Sequence, residues 1–458
     1  MSATGTRPPG LLPALSAGQA AIEVAGQQLA GAELTEAVGG LARGLAGAGQ
    51  VGVVAHPNLA TLVSVAAVLA TGGTAVPLHP QAGPAERAHV LRDAAVDLVL
   101  DNPGLTARGP LPAGPPADER PALILYTSGS TGPPKGAVIP RRAIAANLDT
   151  VAGLWQWSDA DVLAHALPFF HVHGLVFGGL GPLRLGSRLI HSGPYFKPAP
   201  GASMYFGVPA LWASLSTADL RAMRPARLLV SGAGGLPGRL FDRVEQVCGQ
   251  RLLNRYAMTE TLIITSPRLG DVRSPRSVGP PLPGVQVRLT GSDGPPGPDG
   301  SPVREVEIRS PGLFSGYLGR DPVLDPDGWF RTGDLGTWAE DGSLRLLGRK
   351  DTDLIKTGGY RVGAGEVEDA VLAHPGVADV AVAGVPDHKL GQRVVAWVVA
   401  ASPLDQAEMQ SFLAARLAPY KRPLEIHLVD SLPRNALGKV QKRQLHQPIA
   451  VSDAREGR

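Results

Sequence analysis

Cysteine is almost missing: Cys248 is the single one in 458 residues. A lone thiol excludes an internal disulfide framework and a thiolate-based metal cluster, and it predicts a reducing, cytoplasmic setting. Charge is sparse too, with Asp, Glu, Lys and Arg at 18%. Hydrophobic residues reach 44%, so the chain has apolar surface for large cores and does not read as disordered. The net charge of +3 comes from dispersed basic residues, with only short runs such as Arg141-Arg142 and Lys421-Arg422. A basic stripe with interleaved aromatics is lacking, so no nucleic-acid partner is expected. Long apolar runs are lacking as well. The most apolar stretch, Leu62 to Leu78, is broken by Gly72-Gly73 and reads as a core helix running into a strand, not a membrane span. Met1 to Gly10 shows no basic segment followed by an apolar core, so no secretory signal is expected. No repeat of about 20–50 residues is visible, which excludes a solenoid.

Glycine (58) and proline (43) are plentiful and predict many tight turns and loops. Between them, β-rich runs alternate with helical patterns. Strands are expected at Val51–His56, Thr74–Leu78, Val96–Leu100, Ala122–Tyr126 and Arg227–Val230, with helices at Leu59–Leu69, Pro84–Ala94, Arg141–Leu154 and Leu236–Val247. Such alternation implies an α/β architecture of parallel or mixed sheets covered by helices. After Gly348 the pattern changes to a compact α+β unit of roughly 110 residues, a common domain size. The boundary is placed at 349/350, giving a large domain over 1–349 and a small one over 350–458.

The most informative stretch is Tyr126-Thr-Ser-Gly-Ser-Thr-Gly-Pro-Pro-Lys-Gly136. It follows a buried strand. Thr127, Ser128, Ser130 and Thr131 supply hydroxyls, Gly129 and Gly132 allow close backbone approach, and Lys135 adds a cation, which together make a phosphate cradle. It is not the GxxxxGK[ST] loop, because Pro133 and Pro134 precede the lysine and Gly136 follows it.

That run resembles the signature loop of the adenylate-forming superfamily, which includes acyl-CoA synthetases, luciferases and peptide-synthetase adenylation domains. Further motifs resembling the family's follow in order across nearly the whole chain. The resemblance implies a large N-terminal domain with a distorted β-barrel subdomain and a small mobile C-terminal domain. It also implies ATP, Mg²⁺ and coenzyme A as ligands. Arg255-Tyr-Ala-Met-Thr-Glu260 is similar to the motif in which the aromatic (Tyr256, followed by Ala257 and Met258) meets adenine. In that motif the Thr (Thr259) meets the α-phosphate and the Glu (Glu260), with Thr131, holds Mg²⁺. A carboxylate is the hard oxygen ligand this ion takes. The loop Ser231-Gly-Ala-Gly-Gly235 resembles the one whose counterparts of Gly232, Ala233 and Gly234 border adenine and the acyl pocket. Gly328-Trp-Phe-Arg-Thr-Gly-Asp334 resembles the ribose motif, with Asp334 as acceptor and Arg349 beside it. Gly348 to Arg361 resembles the hinge segment, with Lys350 or Asp351 as pivot and Gly358-Gly359 on the CoA channel. Pro433-Arg-Asn-Ala-Leu-Gly-Lys439 resembles the motif whose lysine, here Lys439, catalyses adenylation.

The resemblance thus implies a reaction in two steps. A carboxylate attacks ATP to give an acyl-adenylate and pyrophosphate, and a thiol then takes the acyl group. The acceptor is CoA, with a carrier-protein phosphopantetheine or an amine as alternatives. Phe169-Phe-His-Val-His-Gly174 resembles the acyl-pocket segment, with His171 as gate. No third ligand stands at metal spacing, so zinc is not expected. Gly207, Val208, Ser214 and Ala233 complete the expected pocket. Three stretches are similar in wording to malonyl-CoA synthetases. That subgroup carries an arginine on the helix after Gly-Val-Pro, where this chain has Ser214. The expected acid is therefore a small-to-medium monocarboxylic one, with malonate or methylmalonate as the alternative. Trp212 is a candidate to narrow the pocket and Arg268 a candidate substitute cation.

Overall fold

The computed structural model describes residues 10–114, 116–127, 134–291, 302–321, 323–434 and 440–446. Thr74-Ala-Val-Pro-Leu78 is buried at all of its positions, as expected of a strand covered on both faces. It pairs in parallel with Gln50–Val54, which pairs in parallel with Leu98–Leu100. They belong to a six-stranded sheet ordered Gly316–Tyr317, Lys135–Pro140, Pro121–Thr127, Thr74–Leu78, Gln50–Val54, Leu98–Leu100. A second, seven-stranded sheet runs Leu253–Asn254, Leu228–Ser231, Met204–Gly207, Val162–His165, Arg188–His191, Ala21–Val24, Gln27–Ala30. It is parallel except for its last pair. The helix Leu59–Ala70 starts where the Asn58 side chain accepts from the Thr61 amide. It is apolar all round and touches strands of both sheets, so it forms the middle of the core.

Packing divides the chain into two units. The first comprises Met1–Leu236, Leu240–Val287 and Ile308–Phe330, and contains both sheets above. The second comprises Pro237–Arg239, Arg288–Glu307 and Arg331–Arg458. In the second unit a long hairpin, Val377–Asp387 with Gly391–Ala400, forms the centre of a sheet that also holds Leu354–Thr357, Tyr360–Gly363 and Glu425–Leu428. The helices Ala364–Leu372 and Gln406–Ala414 pack residues such as Val367, Val371, Met409 and Leu413 into its core. The strands Gln286–Thr290, Arg304–Arg309, Phe330–Trp338 and Leu344–Arg349 form a four-stranded sheet in that order. A distorted barrel was the expectation here. Among the described residues the sheet is open, because its outer strands, Gln286–Thr290 and Leu344–Arg349, are not neighbours and closure needs them paired.

The starts of three parallel strands in the first unit share one ion pair. Asp161 accepts from Arg227 Nε at 2.8 Å and Nη2 at 2.6 Å, from Ser203 Oγ at 2.7 Å and from the Ser158 amide at 2.9 Å. Burial alone would raise this carboxyl, but the Arg227, Ser158 and Ser203 bonds outweigh it and hold it below the usual range. A depressed carboxyl contributes stability that is present above its unfolded value and lost as pH falls through the folded one. Asp161→Asn is expected to cost on the order of 3 kcal/mol at neutral pH, read as a shift in urea unfolding followed by tryptophan fluorescence. The gap to the parent protein should shrink below about pH 4.

Candidate functional site

The phosphate-loop candidate is flanked by two paired strands. Pro121–Thr127 and Lys135–Pro140 pair antiparallel, with Thr127 opposite Lys135 and Tyr126 opposite Gly136. Ser128, Gly129, Ser130, Thr131 and Gly132 lie outside the described residues. The stem is held from the helix Pro84–Asp93 at two points. The Tyr126 hydroxyl donates to Asp93 Oδ2 at 2.7 Å, and His89 Nε2 lies 2.9 Å from the Pro134 carbonyl oxygen. Burial first, then the bond to Asp93 and its charge, push the Tyr126 phenol above its ordinary value, so it stays a donor. On the other side, Gly316–Tyr317 pairs with Ala137 and Val138. The Leu318 amide donates to the Gly136 carbonyl at 2.9 Å. A Cβ on Gly136 would lie 2.9 Å from Leu318 Cδ1 and 3.0 Å from Ile124 Cγ2, so a larger residue would make these side chains shift.

Glu260 is 6% exposed, and its Oε1 accepts from the Tyr317 hydroxyl at 2.6 Å. The Lys135 ammonium stands 5.6 Å from the centre of the same Tyr317 ring. The fold thus gathers Thr127, Lys135, Glu260 and Tyr317 in one place, and the sequence reading missed Tyr317. Donor chemistry fits Mg²⁺: a buried carboxylate offers hard oxygens, and this ion takes few protein ligands beside phosphate and water. Thr259 is half-buried in the turn before Glu260, and Tyr256 is buried on the short hairpin Tyr256–Met258 with Leu262–Thr265. Ala257 and Met258 are half-buried on the same strand.

The acyl-pocket candidates separate. Gly207 closes the strand Met204–Gly207 against Trp212, whose Nε1 would lie 2.7 Å from an added Cβ. Val208 is buried beside it. Trp212 is fully buried and donates to the Val230 carbonyl at 3.3 Å, so it is core. Ser214 is exposed and its hydroxyl turns back onto the Leu211 carbonyl at 2.8 Å. Arg268 is exposed too, in a turn where its amide donates to Asp271. Neither lines a buried pocket. His171 is pushed down to about 4 by burial and by His79, so it is neutral at pH 7.

Arg255 is a buried cation in the first unit. It is 4% exposed, and its Nε and Nη2 have no partner among the described residues. Burial lowers it to about 10, yet at pH 7 it stays charged. Around it stand the Phe177 ring, 5.9 Å from its Cζ, and Gly232, where an added Cβ would come within 2.5 Å of Cζ. His173, held well below its ordinary value by burial and then by the Arg255 charge, leaves a buried Nδ1 without a hydrogen-bond partner among the described residues. Ser231 Oγ, at the end of its strand, is in the same condition. Ala233 follows with φ of +65°, a left-handed conformation, and with Gly234 it is exposed. In Leu252-Leu-Asn-Arg-Tyr256 nothing local singles out Arg255, and the sequence reading quoted it without a role.

In the second unit Asp334 and Arg349 are strand partners, with Arg349 Nε 2.9 Å from Asp334 Oδ1. Lys350 is tied to Glu305 at 2.9 Å, whereas Asp351 is exposed in a turn. Gly358 and Gly359, with φ of +55° and +82°, form the exposed turn between Leu354–Thr357 and Tyr360–Gly363. Two positive φ values in succession are the reason both are glycine. Lys439 lies outside the described residues. Arg434 and Val440, on either side of it, form an antiparallel bridge.

The described residues thus show a hairpin stem beside a buried carboxylate and, on another strand end, a buried guanidinium with two nitrogens unbonded among the described residues. The AMP-binding enzyme family matches residues 13–110 and 101–318, and its C-terminal domain matches 366–439. The chain belongs to this family. It is 34% identical to the mitochondrial malonate–CoA ligase of Mus musculus, over 84% of this chain and 79% of that protein. It is also 34% identical to the sulfoacetate–CoA ligase of Cupriavidus necator, over 74% and 69%. A malonyl-CoA ligase solved as a ternary product complex with methylmalonyl-CoA and AMP is 42% identical, with a TM-score of 0.68, covering 93% of this chain and 98% of that one.

The hold of His89 on Pro134 is open to test. His89→Ala is expected to raise the KM for ATP about fivefold, the value of one hydrogen bond, with the KM for CoA unchanged in steady-state kinetics.

Proposed function

We propose that the chain is an AMP-forming acyl-CoA synthetase acting on a short acid with a second anionic group, of the malonate or methylmalonate kind. The observation that carries the choice of acid is Arg255. A guanidinium buried with two unpaired nitrogens is costly until an anion joins it, and a monocarboxylic acid would leave it unpaired. A distal carboxylate accepts from Arg255, with His173 Nδ1 and Ser231 Oγ at hand for its other lone pairs. The expected arginine on the helix Pro209–Ser214 is replaced in this reading by a cation from the strand end. The relatives named for malonate and sulfoacetate, both acids with a second charge, support the same choice. A cytoplasmic setting, suggested by the lone Cys248, is part of this reading.

One carboxylate oxygen attacks the α-phosphorus of ATP, the bond to the β-phosphate breaks, and pyrophosphate leaves. The thiol of CoA then loses its proton and attacks the acyl carbon, and AMP leaves. Positioning and charge stabilisation dominate such chemistry. In the proposed assignment the hairpin turn from Thr127 to Lys135 takes the phosphates. Tyr256 and the Gly232–Gly234 loop border adenine, Thr259 meets the α-phosphate, and Asp334 and Arg349 bind ribose. Glu260, with Thr131, holds Mg²⁺, which supplies charge neutralisation for the leaving pyrophosphate. Lys439 offsets charge on the attacking carboxylate and α-phosphate. The 349/350 boundary, with Lys350 or Asp351, serves as hinge, and Gly358 and Gly359 line the CoA channel.

A pyrophosphate-release screen tests the choice of acid. Malonate, methylmalonate and sulfoacetate should exceed acetate through octanoate by about 100-fold, and Arg255→Met should erase most of that margin. Preference for octanoate or an aryl acid overturns it. Lys439→Ala is expected to slow adenylate formation by about 10²–10³-fold while sparing thioester formation from a supplied adenylate. Undiminished adenylate synthesis in that variant overturns the role of Lys439.

A further inference from the structure

We propose that Tyr317 is a positioning residue that sets Glu260 and Lys135 in one arrangement for the metal-bound phosphates of the nucleotide. The inference rests on the adenylating reading above and adds to it a residue that the motifs did not mark.

The geometry converges on this side chain from three directions. Its hydroxyl donates to Glu260 Oε1 at 2.6 Å. Its ring lies under the Lys135 ammonium, 5.6 Å from the centroid, the arrangement in which an aromatic face attracts a cation. Its backbone belongs to the strand that extends the phosphate hairpin, with Tyr317 opposite Ala137 and Gly316 opposite Val138. The segment around it is fixed at both ends. The Phe314 amide donates to the Glu260 carbonyl at 2.8 Å, and the Leu318 amide to the Gly136 carbonyl at 2.9 Å. The Phe314 ring meets Tyr317 edge-on at 4.9 Å between centroids. Tyr317 therefore touches the side chains of Glu260 and Lys135, while its neighbours Phe314 and Leu318 bond to the backbone of Glu260 and Gly136.

The residue type matters. A phenol orients a carboxylate without neutralising it, so Glu260 keeps its charge for a divalent cation and has the lone pairs of Oε2 to offer. An arginine or lysine in the same place would compete with the metal. Partners that bond to metal-ligating carboxylates fix their direction, and their loss weakens metal binding by about 10–100-fold. The ring under Lys135 does a second thing: it limits where a flexible ammonium can sit.

The experiment uses the full chain and the variant Tyr317→Phe, which removes one oxygen and keeps the ring. Calorimetry measures binding of a non-hydrolysable ATP analogue at increasing Mg²⁺, with pyrophosphate exchange followed alongside. The expected result is a 10–100-fold rise in the Mg²⁺ concentration at half effect. Analogue affinity without Mg²⁺ and the thermal midpoint should stay the same. Tyr317→Leu, which also removes the ring, should in addition weaken the analogue without Mg²⁺. A Tyr317→Phe protein with the parent's Mg²⁺ dependence overturns the proposal. Glu260→Gln separates the two layers. If it too shows the parent's Mg²⁺ dependence, the metal role of Glu260 fails and the inference falls with it. If Glu260→Gln shifts and Tyr317→Phe does not, only the positioning role of Tyr317 is lost.

Discussion

The candidate site depends on the register of one hairpin. Thr127 faces Lys135 only because Tyr126 faces Gly136, where the side chains of Leu318, Ile124 and Tyr126 crowd the space a Cβ would take. A slip by one residue would turn Lys135 to the opposite face of the sheet. The stem is therefore pinned from both sides. His89 and Asp93 hold it from a helix, and Gly316–Tyr317 holds it from an added strand. Such a frame suits the proposed phosphate site, because donors held in place before an anion arrives lose less conformational entropy when it binds.

Arg255 presents the opposite situation: a group left unsatisfied. Buried guanidinium groups in folded proteins are normally paired. Here burial, the aromatic Phe177 and the histidine His173 surround the cation, yet no carboxylate reaches it among the described interactions. Gly232 is part of this arrangement, since any Cβ there would strike the guanidinium. Among the described residues the fold holds this positive charge with two nitrogens unbonded, which is what supports an anionic group on the proposed acid. Such unpaired buried groups mark function more reliably than stability.

Much of this was legible in the sequence, and the failures have physical causes. Thr74–Leu78 appears with its expected bounds, and Arg141–Trp155 and Leu59–Ala70 each run one residue further than expected. These segments are long or strongly periodic, and local pattern decides them. The hairpin strand Lys135–Pro140 was read only as the end of a loop, because two prolines hid a strand whose existence depends on its partner Pro121–Thr127. Ser214 was placed in the pocket by alignment of one helix, but the helix ends there and its hydroxyl satisfies itself. Arg255 and Tyr317 were invisible because their meaning is relational. One is defined by absent partners and the other by two residues far away in the chain.

The second unit shows how separate motifs become one body. Asp353 receives the Arg349 amide at 2.9 Å and Lys442 Nζ at 2.7 Å, and its carbonyl accepts from the Ala364 amide at 2.8 Å. Lys442 also pairs with Glu368 at 2.8 Å. Burial alone would lower the Lys442 ammonium, but Glu368 and Asp353 outweigh it and hold the group above its ordinary value, so it stays charged. Asp353, Glu368 on the helix Ala364–Leu372, and the stretch that follows residues 435–439 are thus joined by one buried cation, Lys442. An ion pair exposed to water would contribute little. A mostly buried pair with a second carboxylate is directional, and breaking it is costly. Arg349, Asp353, the helix Ala364–Leu372 and Lys442 are thus held together within the second unit.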